Sequence, residues 1–244
     1  MQLTVLIAIT LVCIAWSLWI RRVTWSSRWE VAATLNIALQ GMAVLLMSPL
    51  ASETVGKLLH SMTGMWNLED YIGHDCYIVA ASAIVYNAVG RLQDDHSLQR
   101  AFKQYIERPA TLCIPLMLAA FSLGNGATVY RPDFFEVPTD FWLSLYWLMV
   151  CGMLIYLLSY GVRALLVLRK DPKSRKIATV YLAASVSGIL ACAVRIVTAY
   201  VVPLQIWDGG TLVWIGACGC AAGFALTSAY SWQVKTKWFT KAGR

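Results

Sequence analysis

The sequence predicts an all-α membrane protein, a single seven-helix transmembrane domain over residues 1–244 with its N-terminus outside and its C-terminus in the cytoplasm. Three observations lead to this fold class. The 244 residues are 59% hydrophobic and only 14% charged, whereas an ordinary soluble domain is about 25% charged. Seven apolar stretches approach the roughly 20 residues that a helix needs to cross a bilayer. The basic residues, finally, are concentrated in every second connection between these stretches and in the C-terminal segment.

The seven predicted spans take up well over half of the chain and leave no soluble domain. They are residues 3–20, 31–50, 70–90, 109–127, 141–162, 177–203 and 211–234. The first has no basic residue before its apolar run and no small-residue cleavage site after it. We therefore interpret it as an uncleaved helix and not as a signal peptide.

A short amphipathic helix is expected on the outer membrane surface between the second and third spans. Apolar residues recur there at intervals of three and four, the period of a helix with one apolar face. Ser52 is the expected N-cap of this helix, and Gly64 is its expected end. Asn67 is the expected N-cap of the third span, whose first turn is acidic.

The distribution of Lys and Arg predicts the orientation. Seventeen of the twenty lie in segments that are cytoplasmic if the N-terminus is outside, whereas Lys57 and Arg131 lie in outer segments and Arg195 lies in the sixth span. This bias follows the positive-inside rule. Orientation and attraction to anionic inner-leaflet lipid therefore explain the net charge of +7, and we expect no nucleic-acid partner. The cytoplasmic loops are a candidate surface for a protein partner, and the expected location is the bacterial cytoplasmic (inner) membrane.

Aromatic residues and cysteines have ordinary membrane-protein roles in this interpretation. Most Trp and Tyr residues near the span ends are expected to be headgroup anchors or packing residues, not a cofactor site. Six of the seven cysteines lie in apolar runs and are expected to be free, buried thiols. The sequence predicts no cofactor, and it leaves the oligomeric state open.

Polar residues near the outer end of the third span form the first part of a candidate ligand or switch site. Asp70 and His74 are four residues apart, as are Tyr71 and Asp75, so each pair shares a helix face. A histidine beside carboxylates fits a structural hydrogen bond, a proton- or ligand-responsive switch, or a metal site. Because no second histidine lies near His74 in the sequence, the metal site is the least favoured, and none is predicted.

Arg195 is the second part of this site. It lies about 12 Å below the outer end of the sixth span at 1.5 Å per residue. A charge at the centre of a spanning helix costs about 2.5–3.5 kcal/mol, so it normally faces the bundle interior and a partner. The alternative is an arginine that extends to the outer headgroups. By depth, Asp70 or Asp75 is the expected counter-ion, and Tyr200 or Tyr77 is expected to add hydrogen bonds.

Deeper polar residues extend the site as a seam. Asn36 and Gln40 share a face of the second span, and Asn87 lies in the inner half of the third. Buried amides join helices more often than they line a pathway. On the outer side, residues 130–138 are aromatic, acidic and stiffened by two prolines. Such a segment fits a lid, a partner surface, or a loop that dips its aromatic residues into the headgroups.

Residues 62–68 (Met-Thr-Gly-Met-Trp-Asn-Leu) run into residues 73–75 (Gly-His-Asp) and an Ala-rich span. This stretch resembles seven-helix integral membrane proteins of actinobacteria and their phages. Their plan is similar to the seven-helix membrane input region of bacterial sensor proteins, and the similarity of plan covers about residues 1–235. The resemblance implies a regulatory or transport role.

The motifs of common enzymes are absent from the sequence, which contains no Gly-x-Ser-x-Gly, His-Glu-x-x-His, P-loop or dinucleotide fingerprint. We therefore expect a non-enzymatic sensor or modulator that binds a ligand or partner, for instance a phage- or prophage-encoded membrane regulator or exclusion factor. The alternative is a small-solute or proton-coupled transporter, and an intramembrane enzyme is the least favoured. A sealed Arg195–Asp75 pair under a closed lid favours sensing, whereas a cavity from that pair to Gln40 and Asn87 favours transport.

Overall fold

The computed structural model describes residues 2–27, 30–92, 95–201 and 209–242. Within these ranges the chain is helical and contains no strand. The bundle is built from α1 (Gln2–Ile20), α2 (Val31–Leu46), α3 (Pro49–Thr63), α4 (Leu68–Val89), α5 (His96–Leu123), α6 (Phe141–Leu168), α7 (Arg175–Tyr200) and α8 (Gly209–Ala242).

Six of these helices, α1 and α4 to α8, are long and apolar enough to cross a membrane. Helix α2 has only 16 residues, about 24 Å at 1.5 Å per residue, which is less than the hydrocarbon core of about 30 Å. It meets α3 at a bend of 62°, and the two together make a seventh candidate span. An all-helical architecture with six to seven helices long and apolar enough to cross a membrane is therefore confirmed.

Three helices are longer than the sequence analysis predicted, and one of them, α6, ends at Leu168 and not at residue 162. Helix α5 begins at His96, not at residue 109, and contains a π-helical turn at Lys103–Glu107. That turn ends two residues before Pro109, whose ring does not fit into a regular α-helical turn. Helix α8 continues past residue 234 to Ala242. The predicted end of the sixth span at residue 203 lies outside the described residues.

Helix α3 begins four residues earlier than predicted. Its N-cap is Ser48, whose Oγ accepts a hydrogen bond from the Ala51 amide at 3.3 Å. Pro49 occupies the first turn, where a missing N–H has no cost. The prediction of Ser52 as the N-cap is wrong, because Ser52 lies inside the helix and donates a hydrogen bond to Glu69 Oε1 at 2.6 Å.

The end of α3 agrees with the prediction. Gly64 adopts the left-handed conformation with φ of 76° and ends the helix. The apolar side chains Val55, Leu58 and Met62 are exposed along α3, as expected for a helix on a membrane surface. Asn67 occupies the N-cap position of α4, but its side chain makes no capping hydrogen bond.

Six helices form a closed ring in the order α1, α2, α4, α6, α7, α8, and α5 packs outside the ring against α4 and α6. Close packing of α7 on α8 depends on small residues: a Cβ at Gly216 would lie 2.8 Å from Ala191 Cβ, and one at Gly223 would lie 2.8 Å from Ala184 Cβ. Helix ends of like charge collect on the same side of the ring. We call the side with Arg21, Arg91, Arg169 and Lys235 the basic end, and the side with Glu53, Glu69, Asp133 and Asp140 the acidic end.

Candidate ligand site inside the helix ring

A cavity of about 80 Å³ lies inside the ring, between α2, α4, α6, α7 and α8. One water molecule needs roughly 10–15 Å³ on this measure, so the cavity has room for several waters or a compact organic group. Most of its wall is apolar. We call it the central cavity. The polar or charged side chains that line it include Gln40, His74, Tyr77, Trp147 and Arg195.

Arg195 is buried at the acidic end of the central cavity, with 5% of its surface exposed. Its guanidinium carbon lies 4.1 Å from the ring centroid of Trp147 and 5.3 Å from that of Phe135, within the distance of a cation–π interaction. Nη1 donates a hydrogen bond to the Phe135 carbonyl at 3.5 Å. The side chain therefore points into the bundle, and the alternative in which it extends to the headgroups is wrong.

The predicted counter-ions of Arg195 are wrong. Among the described residues, no ion pair joins Arg195 to Asp70 or Asp75. Successive residues of a helix are rotated by about 100°, so His74 faces the central cavity while Asp75 faces away, beside Tyr71. Tyr71 in turn donates a hydrogen bond to the Ile114 carbonyl of α5, which places this face of α4 against α5.

The carboxylate that interacts with the charge of Arg195 is Asp133, in the segment before α6. Its Oδ1 accepts a hydrogen bond from the Phe135 amide at 3.0 Å, and its Oδ2 accepts one from Trp214 Nε1 at 3.2 Å. Burial raises the pKa of Asp133 above its ordinary value, and these two hydrogen bonds and the Arg195 charge oppose that shift. Asp133 therefore joins the segment to α8.

Residues 130–138, which we call the lid, close the acidic end of the central cavity. Phe134 is 1% exposed and its ring centroid lies 5.2 Å from that of Trp147. Phe135 stacks on Trp147 at 5.4 Å and meets Trp214 edge-on at 5.8 Å. These rings fill the bundle, so the interpretation in which they dip into headgroups is wrong. The side-chain amide of Asn67 donates to the carbonyl of Val129 at 2.8 Å and so holds the start of the lid.

His74 has a hydrogen-bonded structural environment next to Arg195. It is buried, its Nδ1 lies 2.8 Å from the Tyr146 hydroxyl, and its ring meets Trp147 edge-on. Asp70 is buried one helical turn earlier, and its Oδ2 has no hydrogen-bond partner among the described residues. No group of three potential metal ligands occurs in the described ranges.

Four residues that line the central cavity have buried polar atoms without a hydrogen-bond partner in the described structure. They are Gln40 (Oε1), Tyr77 (hydroxyl), Trp147 (Nε1) and Arg195 (Nε and Nη2). Buried polar groups are nearly always paired, and an exception calls for a water, an ion or a function to explain it. The convergence of four exceptions on one cavity marks it as the candidate ligand site.

The amides of the predicted seam join α2 to α4. Asn36 donates to the Ala80 carbonyl at 2.9 Å, and Gln40 Nε2 donates to Asn36 Oδ1 at 3.0 Å. Asn87 lies apart from them in a second cavity at the basic end, where it accepts a hydrogen bond from Arg91. Tyr200 is not part of the site, because it is half exposed and donates to the Ser144 carbonyl.

Sequence reasoning missed three aromatic or acidic residues of the site: Asp133, Trp147 and Trp214. The two tryptophans lie near predicted span ends and were grouped there with the expected anchors, yet each is 1% exposed. A signal for Trp147 is present in the sequence, because Trp147, Cys151, Leu154 and Leu158 follow one another at helical spacing, and all four line the cavity. No comparable signal marks Asp133.

No protein-family model, curated protein or solved structure matches the chain. The resemblance to seven-helix proteins of actinobacteria and their phages therefore stays a prediction.

Proposed function

We propose that this protein is a non-enzymatic membrane sensor or modulator whose ligand is a small organic anion bound in the central cavity. The observation that carries the proposal is the buried cation Arg195, which has two unpartnered nitrogens and lines a cavity with three other residues that have unpartnered polar atoms. A buried, incompletely paired charge is costly. An anion that enters the cavity relieves this cost.

The lining of the cavity supports a small organic anion as the ligand. Arg195 and Trp147 line the cavity and have unpartnered N–H donors, and guanidinium groups pair well with carboxylates. Gln40 offers an acceptor on α2, and the wall between the polar groups is apolar. A compact carboxylate with an apolar body matches this arrangement.

Ligand binding is coupled to the lid through Arg195. The same guanidinium contacts the Phe135 ring and carbonyl and attracts Asp133. A bound carboxylate competes with these lid groups for the one cation, so it changes the position of the lid. In the proposed orientation the acidic end faces outside the bacterial cytoplasmic membrane, and the basic loops meet anionic lipid or a cytoplasmic protein partner. A phage- or prophage-encoded regulator or exclusion factor remains one form of this proposal.

The test of binding compares acids with their uncharged amides. Protein in lipid nanodiscs is melted with acetate, butyrate or benzoate, and with acetamide, butyramide or benzamide. A ligand that binds only the folded protein raises the melting temperature. For the wild type, we expect at least one acid to raise the melting temperature more than its amide does. The same is expected for Arg131→Gln, whose arginine is exposed in the lid, but not for Arg195→Gln. Equal responses of the two variants, or no difference between acids and amides in the wild type, would overturn the proposal.

Sensing further requires a change at the basic end of the bundle. The loop between α6 and α7 is exposed and rich in Lys and Arg, so limited trypsin digestion from that side reports its conformation. We expect the bound acid to change the cleavage rate in the wild type and not in Arg195→Gln. An unchanged rate in the presence of bound acid contradicts a sensing role.

Transport is a second candidate, and one observation favours it. The central cavity and the cavity at the basic end share Ile84 as a lining residue, so this side chain lies between two spaces that follow one another along the bundle. Proteoliposomes loaded with radiolabelled benzoate test this candidate. Faster efflux from wild-type vesicles than from empty ones, and a further increase for Ile84→Ala, support transport. Efflux equal to that from empty vesicles excludes it for this solute.

A further inference from the structure

A second, larger cavity of about 260 Å³ lies at the basic end of the ring, between the ends of α2, α4, α6, α7 and α8. We call it the basic-end cavity. Three cationic side chains from separate parts of the chain line it: Arg91 after α4, Lys173 between α6 and α7, and Lys235 on α8. Arg91 and Lys173 are exposed to solvent, so they mark its mouth.

The charges around this cavity do not balance. Glu30 is the carboxylate that accepts from Lys235, and it also pairs with the buried Arg21 at 2.9 Å and lies 4.0 Å from Arg91. Burial alone raises the pKa of Glu30, but hydrogen bonds from Lys235 and Arg21 outweigh it and hold the pKa below its ordinary value. Glu30 is therefore ionised at neutral pH. Of the charged side chains that the structure describes here, two carboxylates, Glu30 and Asp171 beside Lys173, face four cations, which leaves an excess of positive charge at the cavity.

The rest of the lining is polar at intermediate depth and apolar at the floor. Asn87 lines the cavity, and its Oδ1 accepts a hydrogen bond from Arg91 Nε at 3.1 Å, so the amide N–H groups of Asn87 do not take part in this contact. Ser231 adds a hydroxyl on α8, and Ile84 and Phe224 form the apolar floor. The cavity is thus shaped for a ligand with a charged head and an apolar part.

We propose that the basic-end cavity binds a phosphate group, supplied by an anionic lipid or by a soluble phosphate compound. A phosphate carries up to two negative charges and several acceptor oxygens, so it can accept from cations that approach from three directions. A carboxylate has two oxygens and one charge and pairs best with one guanidinium. Lys235 is bound directly to Glu30, whereas Arg91 lies 4.0 Å from Glu30 and Lys173 is exposed at the mouth, so Lys173 and Arg91 are the cations that such a ligand engages most readily. This site is separate from the central cavity, so the inference does not depend on the proposed function.

The test measures stabilisation by phosphate at constant ionic strength. Purified protein in phosphatidylcholine nanodiscs is melted with inorganic phosphate or with sodium chloride, and a parallel sample contains phosphatidylglycerol in the nanodisc. Lys173→Gln and the double variant Arg91→Gln/Lys173→Gln test the site. The matched control is Lys170→Gln/Arg175→Gln, which removes the same charge from exposed positions in the neighbouring loop and at the start of α7 that do not line the cavity.

Phosphate or phosphatidylglycerol is expected to raise the melting temperature of the wild type and of the control. The double variant is expected to bind about tenfold more weakly, and Lys173→Gln by a smaller factor. A response to inorganic phosphate identifies a soluble source, and a response to phosphatidylglycerol alone identifies a lipid source. The proposal is overturned if neither raises the melting temperature, or if the control loses as much of the response as the double variant. Equal binding by all three variants also overturns it.

Discussion

Replacing Arg21 by Gln is expected to destabilise the protein strongly, although the neighbouring Arg22 is expendable. Arg21 is 1% exposed, and its guanidinium donates to Thr34 Oγ1 at 3.1 Å, the Ser228 carbonyl at 3.1 Å and Glu30 Oε2 at 2.9 Å. It therefore joins α2 and α8 to the end of α1. Arg22 is exposed and lies over the ring of Trp19, which makes Arg22→Gln the matched control.

The size of the expected stability loss in Arg21→Gln follows from the burial of the ion pair, because the side chains of Arg21 and Glu30 are only 2% and 11% exposed. Removing one member of a buried ion pair costs about 3–5 kcal/mol, whereas a surface substitution stays within about 0.5 kcal/mol. Because Glu30 keeps Lys235 as a partner, we expect a loss at the lower end of that range, about 3 kcal/mol. For a chain of this size each kcal/mol shifts the melting temperature by about 2–4 °C, so Arg21→Gln should melt roughly 6–12 °C lower.

The assay is thermal unfolding of the wild type, Arg21→Gln, Glu30→Gln, Arg22→Gln and the double variant Arg21→Gln/Glu30→Gln in one detergent at neutral pH. The melting temperature of the double variant should fall by less than the sum of the falls in Arg21→Gln and Glu30→Gln, because the double variant contains neither of the two buried charges of this pair. Arg21→Gln and Arg22→Gln melting within about 2 °C of each other would refute the argument. It would mean that the buried network at the basic end contributes no more than a surface charge.

Three further predictions concern pH, the lid and orientation. The folded-state pKa of Glu30 lies below its ordinary value of 4.5, so the stabilisation by its carboxylate is present above pH 4.5 and is lost as the pH falls through the folded-state pKa. The melting temperature of Glu30→Gln should therefore change less with pH in this acidic range than that of the wild type. Parallel plots of melting temperature against pH contradict the prediction. Asp133→Ala should loosen the lid and raise the rate at which a methanethiosulfonate reagent modifies Cys151 and Cys192 by about tenfold, as measured by mass spectrometry, whereas Glu136→Ala, at an exposed position of the lid, should leave the rate unchanged. Alkaline phosphatase fused within the lid should be active in a bacterial host, and the same enzyme fused after Lys170 should be inactive; the reverse pattern would mean the opposite orientation.

The positions of the spans were predictable, because a long apolar run is a property of one segment and needs no knowledge of its neighbours. Burial of Arg195 was favoured by its depth in an apolar helix, with extension to the outer headgroups as the alternative. Its environment was not predictable in this way. Whether His74 or Asp75 faces the cavity depends on the rotation of α4 about its axis, and the helix is apolar enough on several sides to permit more than one rotation.

The count of Lys and Arg residues predicted which helix ends lie on the same side of the bundle, but it gave no information about which of these residues are buried. The distribution of Lys and Arg treats Arg21 and Arg22 alike, yet one is buried in a hydrogen-bonded network and the other is exposed. The difference arises from the backbone turn after α1, which aims Arg21 at Glu30 and at α8. The role of Asp133 has a similar origin, because its contact with Trp214 joins residues 81 positions apart.

The most direct measurement for the central claim is a density map of the protein prepared with the carboxylate that raises its melting temperature most. We predict density for that acid in the central cavity, with a carboxylate oxygen about 2.7–2.9 Å from Nε or Nη2 of Arg195 and with Phe135 displaced from the guanidinium. An Arg195 side chain paired directly with Asp133, over a cavity that is collapsed or filled by a lipid chain, would contradict the account.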